Sequence, residues 1–378
     1  MAATTPNTEL AAPAVPERAT ALETLRIWSL HLLCFALPTS TLAFLLTAPH
    51  RWWGALPWLG VIVGSVILDQ RSAPEHRQPA ARLARWPFDA VLYVLAAMQL
   101  ACVLLAAYTV SAHGFWHIDT LVMFLLVGVN SGYCGIVVAH ELIHRREKHR
   151  QWLGRVLMGS VLYEHFATEH VRGHHARVGT PEDPATARFG ETYQAFFLRT
   201  VPGQFKSAWR LECHRIGNAA MPLWDRRQLH NRVLQGLVAE WSVALAIAAV
   251  LGAGALAFHL LQSLSAIRLL EAVNYFEHWG LVRSGKKPSP IDSWDTDSRF
   301  TLYTLVGLSR HADHHAFATR PYQQLRHWDE SPKLPSGYFG MVEMVLLENR
   351  AFRRLMTAEL ERRKLGPFAG TGGYALPQ

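Results

Sequence analysis

Six long apolar segments constrain this chain more than any other feature of its sequence. Each has about the 20 residues that an α-helix needs to cross the hydrocarbon core of a bilayer. They cover residues 27–48, 52–68, 90–112, 120–139, 234–251 and 253–273. Charged residues make up only 17% of the sequence, below the roughly 25% of soluble domains. The pattern predicts an all-α integral membrane protein with six transmembrane helices and a tight turn at Pro49, His50 and Arg51.

The apolar segments also set the predicted domain boundaries. Residues 1–24 are rich in Ala, Thr and Pro and are predicted to form a disordered tail. Residues 25–360 are predicted to form one membrane domain, and residues 361–378 a C-terminal tail.

Basic residues concentrate in alternate loops and give the chain a net charge of +8. Residues 145–232 are densely basic, whereas the turn at 113–119 carries no Lys or Arg. The loop between the second and third segments contributes Arg71, Arg77, Arg82 and Arg85. Cytoplasmic loops carry such an excess, so we predict a bacterial inner-membrane protein with both termini cytoplasmic. The same bias explains the charge without a nucleic-acid partner.

The cysteines exclude some kinds of site. The four are Cys34, Cys102, Cys134 and Cys213, and none forms a CxxC pair. They predict no disulfide framework, zinc site or iron–sulfur site. Any one-electron donor is therefore expected to be a separate protein.

Nine of the twenty histidines lie in four short clusters, which begin at the cytoplasmic ends of the fourth and sixth segments. Residues four apart share a helix face, so His140 and His144 are predicted to hold one metal. His170 and His174 have the same spacing, and His175 is predicted to point elsewhere. The candidate ligands are His140, His144, His170, His174, His175, His278, His311, His314 and His315.

Nine imidazoles are too many for one metal ion, since a zinc ion takes three or four ligands. The clusters therefore predict a dinuclear centre with four or five His per metal. Imidazole suits iron, copper, nickel or zinc, so the ligands alone leave the metal open. No catalytic residue is predicted beyond these ligands.

Carboxylates beside the clusters are candidate partners for the outer ring nitrogens of the ligands, a role that carboxylates commonly have. They are Glu141, Glu169, Glu277 and Asp313. The alternative is that each is solvated or paired with a nearby arginine.

Other functions explain fewer of these histidines. An HExxH pair such as His140 and His144 is typical of zinc proteases, but a protease would leave six of the others idle. A metal carrier fits poorly with ligands that come from four separate segments.

The clusters resemble those of the integral-membrane alkane 1-monooxygenases, within the fatty-acid desaturase and hydroxylase superfamily. The similar motifs are HELIHR from His140, EHVRGHH from Glu169, NYFEHWGL from Asn274 and LSRHADHHA from Leu308. Residues 180–191 and 325–338 are also similar, and the resemblance covers 27–356. The chain departs from the usual family residues at Ile143, Trp279 and Ser309, and none of these is a candidate ligand.

The resemblance implies that the nine histidines hold two iron ions. It also implies O2 as co-substrate, with electrons from reduced rubredoxin and an NADH-dependent rubredoxin reductase. The implied reaction is hydroxylation of the terminal methyl of an alkane, as in alkane degradation. Alternatives are methyl hydroxylation of xylene- or cymene-type aromatics and, less well matched because of the extra NYFEH motif, fatty-acyl desaturation.

A hydrocarbon substrate from the lipid is expected to reach the metals through a narrow apolar tunnel between the helices. In the family, a bulky side chain on the second span gauges chain length. Alignment of Asp69 with the acidic residue that ends that span puts the position at Val61. A residue as small as Val61 predicts acceptance of longer chains.

Overall fold

The computed structural model describes residues 12, 14, 18–80, 83–283 and 285–370. In these ranges the fold is helical, and the only β-structure is two isolated bridges. Six helices are long and apolar enough to cross a membrane, as predicted. Spans 1 to 6 are Ala21–Thr47, Trp52–Gln70, Trp86–His113, Ile118–Ile143, Arg232–Leu251 and Ala253–His278.

Helical structure extends into both predicted tails. Span 1 begins at Ala21 because the Thr20 hydroxyl accepts a hydrogen bond from the Glu23 amide at 3.1 Å and caps the helix. The last long helix, Asn349–Arg363, continues three residues into the predicted C-terminal tail. Most of residues 1–20, residues 371–378 and Arg82 lie outside the described residues.

The spans pack around span 4. Its most apolar stretch is 72% buried, whereas the corresponding stretches of spans 2 and 5 are 11% and 22% buried. Spans 2 and 5 therefore lie at the periphery of the bundle. Short turns join neighbours: Gly252 alone separates spans 5 and 6, and its φ of +90° favours glycine. Asp119 accepts hydrogen bonds from the amide and ring of His50 in the predicted first turn.

A chain of side-chain hydrogen bonds joins spans 3, 4 and 6 inside the bundle. Asn130 donates to Gln99 at 2.7 Å, and Gln99 donates to Ser131 at 2.8 Å. Ser131 in turn donates to Gln262 on span 6 at 2.9 Å. Such bonds between membrane helices contribute about 0.6 kcal/mol each on average, so their main effect here is to fix the register of three helices.

The polar parts of the chain form a cap over one end of the bundle. Between spans 4 and 5 the cap contains Lys148–Gly159, a bent helix over 166–177, and the long cap helix, Tyr193–Arg215. After span 6 come Arg299–Thr304, His311–Ala316, Tyr338–Leu347 and Asn349–Arg363. The ends of spans 4 and 6 both point into this cap, which is where the histidine clusters meet.

Candidate metal centre

The structure brings all nine predicted histidines together as two adjoining groups. We call His140, His144, His170, His175 and His314 the first His group; one ring nitrogen from each lies within 4.8 Å of the others. The second His group is His174, His278, His311 and His315. His174, His278 and His315 meet the same distance criterion, and His311 Nε2 lies 3.3 Å from His278 Nε2. The groups hold five and four imidazoles, within the predicted range.

Span 4 supplies the first pair of histidines as predicted. His140 lies in the last helical turn and His144 follows at the helix end, one turn further on. Their ring centroids are 5.0 Å apart. A π-helix at Ser131–Ile136 immediately precedes this turn, and π-segments are frequent at functional sites.

The second cluster is arranged differently from the prediction. His170 belongs with His175 rather than with His174, and the Nε2 atoms of His170 and His175 lie 3.1 Å apart. The reason is that residues His170–His174 form a π-helix, in which the bonding spacing is five residues instead of four. Gly173 permits this segment to pack closely, because a Cβ there would clash with the carboxylate of Glu169.

Neighbouring histidines alternate between the groups. His174 belongs to the second group and His175 to the first; His314 belongs to the first and His315 to the second. His175 therefore points away from the group of His174, as the sequence predicted. His311 and His315, one α-helical turn apart, lie on the same side with ring centroids at 4.4 Å.

The chemistry of the two groups fits metal ions. Burial, together with neighbouring imidazoles, holds the pKa of His175 and the pKa of His315 well below the usual histidine value. Both rings are therefore neutral, which is the form that binds a metal. Among the described residues, Nε2 of His144, Nε2 of His174 and both ring nitrogens of His315 are buried without a hydrogen-bond partner. A cation bound between the rings would satisfy one nitrogen of each ring.

Two carboxylates contact the candidate ligands. Asp183 Oδ2 lies 2.8 Å from His174 Nδ1 and accepts a hydrogen bond from Thr186 at 2.6 Å. Burial alone would raise the pKa of Asp183, but His174 and Thr186 outweigh it and the pKa is lowered. Glu277 Oε1 lies 3.2 Å from His311 Nδ1 and accepts a hydrogen bond from the Tyr338 hydroxyl at 2.6 Å.

Of the four predicted carboxylates, Glu277 is the one placed against a candidate ligand. The other three have arginine partners: Glu141 pairs with Arg145 at 2.6 Å, and Glu169 pairs with Arg177 at 2.6 Å. Asp313 contacts Arg320 and Arg326 and accepts a hydrogen bond from Trp328 at 2.8 Å. These ion pairs hold the segments that carry the histidines. Asp183 was missed because a loop, rather than a helical spacing, brings it to His174.

A third group of possible ligand atoms lies on the cap surface: His76, Asp297 and His327. The Lys333 ammonium lies 3.1 Å from Asp297 Oδ1. It supplies the positive charge that a cation would bring, so this group acts as an ion-pair network between loops.

A small cavity of about 30 Å³ adjoins the histidines. Its polar lining consists of His140, His170, His311, Asn274 and Glu277. The rest of the wall is mainly apolar and includes Tyr133, Ile136, Val137, Phe166, Leu269, Leu270, Val273 and Leu308. An apolar chamber that ends on imidazoles suits a hydrocarbon better than a polar substrate.

A second cavity of about 30 Å³ lies between spans 1, 2, 3 and 4 and shares Tyr133 with the first. Tyr133 stacks on Phe339 with ring centroids 4.6 Å apart. Span 2 contributes Ser65 to this second cavity, not Val61. Val61 is half-buried one turn away, against the apolar cluster of Phe44 and its neighbours.

The sequence of this chain is similar to those of known proteins. Residues 114–343 match the model of the fatty acid desaturase family. The chain is 41% identical over 235 residues to alkane 1-monooxygenase 1 of Pseudomonas aeruginosa, which covers 59% of each chain. It is 34% identical over 312 residues to alkane 1-monooxygenase 1 of Alcanivorax borkumensis, covering 81% of this chain and 75% of that one. It is 28% identical over 213 residues to the xylene/toluene monooxygenase hydroxylase component of Pseudomonas putida, covering 54% and 55%.

Proposed function

Because the chain belongs to the fatty acid desaturase family and to its alkane 1-monooxygenase members, we propose that it hydroxylates the terminal methyl of an alkane. In this reaction one atom of O2 enters the C–H bond to give a primary alcohol. The other atom is reduced to water with two protons and two electrons. The electrons come from reduced rubredoxin, which an NADH-dependent reductase regenerates. The observation that carries the proposal is the pair of His groups at the end of an apolar cavity.

The protein's own residues supply ligation, orientation and dryness. The nine histidines would hold two iron ions, and bound iron would supply the redox chemistry that activates O2. Asp183 accepts a hydrogen bond from Nδ1 of His174. This contact turns the opposite nitrogen, Nε2, toward the second His group. The apolar side chains of the cavity wall keep a chain tip away from water, and the polar side chains that also line the cavity belong to His140, His170, His311, Asn274 and Glu277. We place the cap in the cytoplasm of a bacterial cell, where the soluble donor is available.

Metal content and substrate oxidation test the proposal together. Purified protein is expected to contain about two irons per chain, since five and four imidazoles exceed what one ion binds. With rubredoxin, its reductase and NADH, octane or hexadecane should give the primary alcohol. Zinc as the sole metal would overturn the proposal. Oxidation of xylene alone would favour the aromatic methyl hydroxylase, and desaturation of an acyl chain the desaturase.

Chain-length selection is expected to depend on Tyr133, which forms the wall shared by the two cavities. Tyr133→Ala should join the two cavities and raise the ratio of hexadecane to octane oxidation about tenfold. The reason is that a pocket change of one or more methylene groups is worth about 1–3 kcal/mol. Ser65→Phe should shift the ratio the other way by filling the second cavity. Val61→Phe is the control within span 2, since Val61 lines neither cavity. If Val61→Phe alone changed this ratio, Val61 would be the position that gauges chain length, as the sequence predicted.

A further inference from the structure

The long cap helix, Tyr193–Arg215, has a buried face and a second, apolar stripe. One faces the protein and contains Tyr193, Phe196, Thr200, Gln204 and Ala208, all buried. A second stripe has Leu198, which is 74% exposed, followed by the half-buried Phe205 and Trp209 at helical spacing. A helix at the surface of a soluble protein has one apolar stripe toward the core. Phe205 packs partly on His165, with ring centroids 5.2 Å apart, and the remaining surface of the second stripe leaves apolar side chains open to an external partner.

Hydrogen bonds fix the height of this helix relative to the membrane. Glu212, near its C-terminal end, accepts a hydrogen bond from the amide of Arg232 at 2.9 Å. Arg232 is the first residue of span 5. Trp209 and Arg210 are within one helical turn of Glu212, so they lie at the level where span 5 enters the bilayer.

The segment that leads into span 5 presents apolar side chains at the same level. Leu223, Trp224 and Leu229 are 71%, 86% and 71% exposed. Tryptophan is enriched at the depth of the lipid headgroups. These three side chains extend the apolar surface of the cap helix along the bilayer interface.

An open groove of about 270 Å³ lies between the cap helix and this segment. Phe205, Trp209 and Leu223 form its apolar wall, and Lys206 and Arg210 line it one turn apart. Neither cation has an ion-pair partner in the part of the chain that the structure describes, although the nearby Arg215 and Arg227 pair with Glu212 and Asp225. The groove therefore offers two free positive charges above an apolar floor.

We propose that this groove binds the headgroup of an anionic phospholipid, with Lys206 and Arg210 on the phosphate and the acyl chains beside Phe205, Trp209 and Leu223. Lys and Arg extend their charged ends toward the headgroups while their methylene chains cover apolar surface. An acidic protein would complement the two cations equally well. It would not account for the exposed Leu223 and Trp224 in the segment that leads into span 5.

Native mass spectrometry of the full-length protein in detergent, titrated with phosphatidylglycerol or phosphatidylcholine, tests the proposal. The wild type should bind phosphatidylglycerol more tightly. The double variant Lys206→Gln/Arg210→Gln should weaken phosphatidylglycerol binding by about fivefold per cation, or about 25-fold in all, and leave phosphatidylcholine binding unchanged. The exchange Lys206→Arg/Arg210→Lys, which keeps both charges, should retain wild-type affinity.

Lys286→Gln/Lys287→Gln is the matched control, since it removes two exposed lysines from a loop away from the groove. Equal loss in the control and the groove variant would show a general charge effect and overturn the proposal. An unchanged phosphatidylglycerol affinity in the groove variant would also overturn it. A raised KM for rubredoxin with unchanged lipid binding would assign the groove to a protein partner instead.

Discussion

The His278→Ala variant is expected to keep no more than about one iron per chain and to lose alkane hydroxylation by at least about 100-fold. The second His group would fall from four imidazoles to three. His278 lies close to every other member of that group: His174, His311 and His315. Even the loss of a residue that only orients a ligand typically costs 10–100-fold in metal affinity or activity. Iron content and octane oxidation, measured on the same preparation, check this result.

His278 is fully buried, so its replacement could also weaken the fold. His278→Gln keeps most of the side-chain volume and should lose iron and activity while its thermal unfolding stays near that of the wild type. His214→Ala is the matched control, because His214 is exposed on the cap and belongs to neither His group. Full iron and activity in both His278 variants would show that the second His group holds no metal.

The second large effect is expected at Asp183. Asp183→Asn retains the shape of the side chain but removes the carboxylate that accepts a hydrogen bond from Nδ1 of His174. We expect the affinity for iron to fall 10–100-fold, as for other partners of ligating histidines. Equilibrium dialysis against a graded iron chelator measures this affinity directly and does not depend on turnover.

The neighbouring Glu182 provides a matched control. It is exposed, whereas Asp183 is buried, so Glu182→Gln should leave iron affinity unchanged. If Asp183→Asn and Glu182→Gln bind iron equally well, the Asp183–His174 contact does not tune the metal centre. A loss in thermal stability without a loss in iron affinity would give Asp183 a role in the loop alone.

Most of the fold was predictable because segment length is a direct physical requirement of the bilayer. All six predicted spans are present, and the turn at Pro49, His50 and Arg51 is where it was expected. The span ends were less well predicted. Span 6 continues to His278, five residues past the apolar segment, because Asn274 bonds to Glu271 of the same helix and Glu277 bonds to Tyr338 of the cap.

The membership of the candidate site was predictable, whereas its internal arrangement was only partly so. Helical spacing correctly placed His140 with His144, since His140 lies in the last helical turn and His144 caps that helix. The same reasoning placed His170 with His174, which is wrong because a π-helix changes the spacing there. A π-helix leaves no distinct mark in residue composition, so His175 could be assigned only from the structure.

The pairing of Glu141, Glu169 and Asp313 with nearby arginines was the alternative that the sequence offered, and Glu141 and Arg145 are four residues apart. The contact of Asp183 with His174 was beyond sequence reasoning, because it depends on a loop whose course no periodicity describes. Tyr133 gave no signal in the sequence, because a tyrosine within an apolar span is ordinary. Its position between two cavities follows from the packing of span 4 against Phe339.

The alternation of neighbouring histidines makes the two halves of the centre mechanically inseparable. One peptide bond links His174 to His175 and another links His314 to His315, and each bond crosses from one group to the other. Consecutive Cα atoms keep a fixed separation of about 3.8 Å, so a backbone shift in either group also moves two backbone segments of the other group. The distance between the two His groups is thus constrained by two peptide bonds as well as by packing.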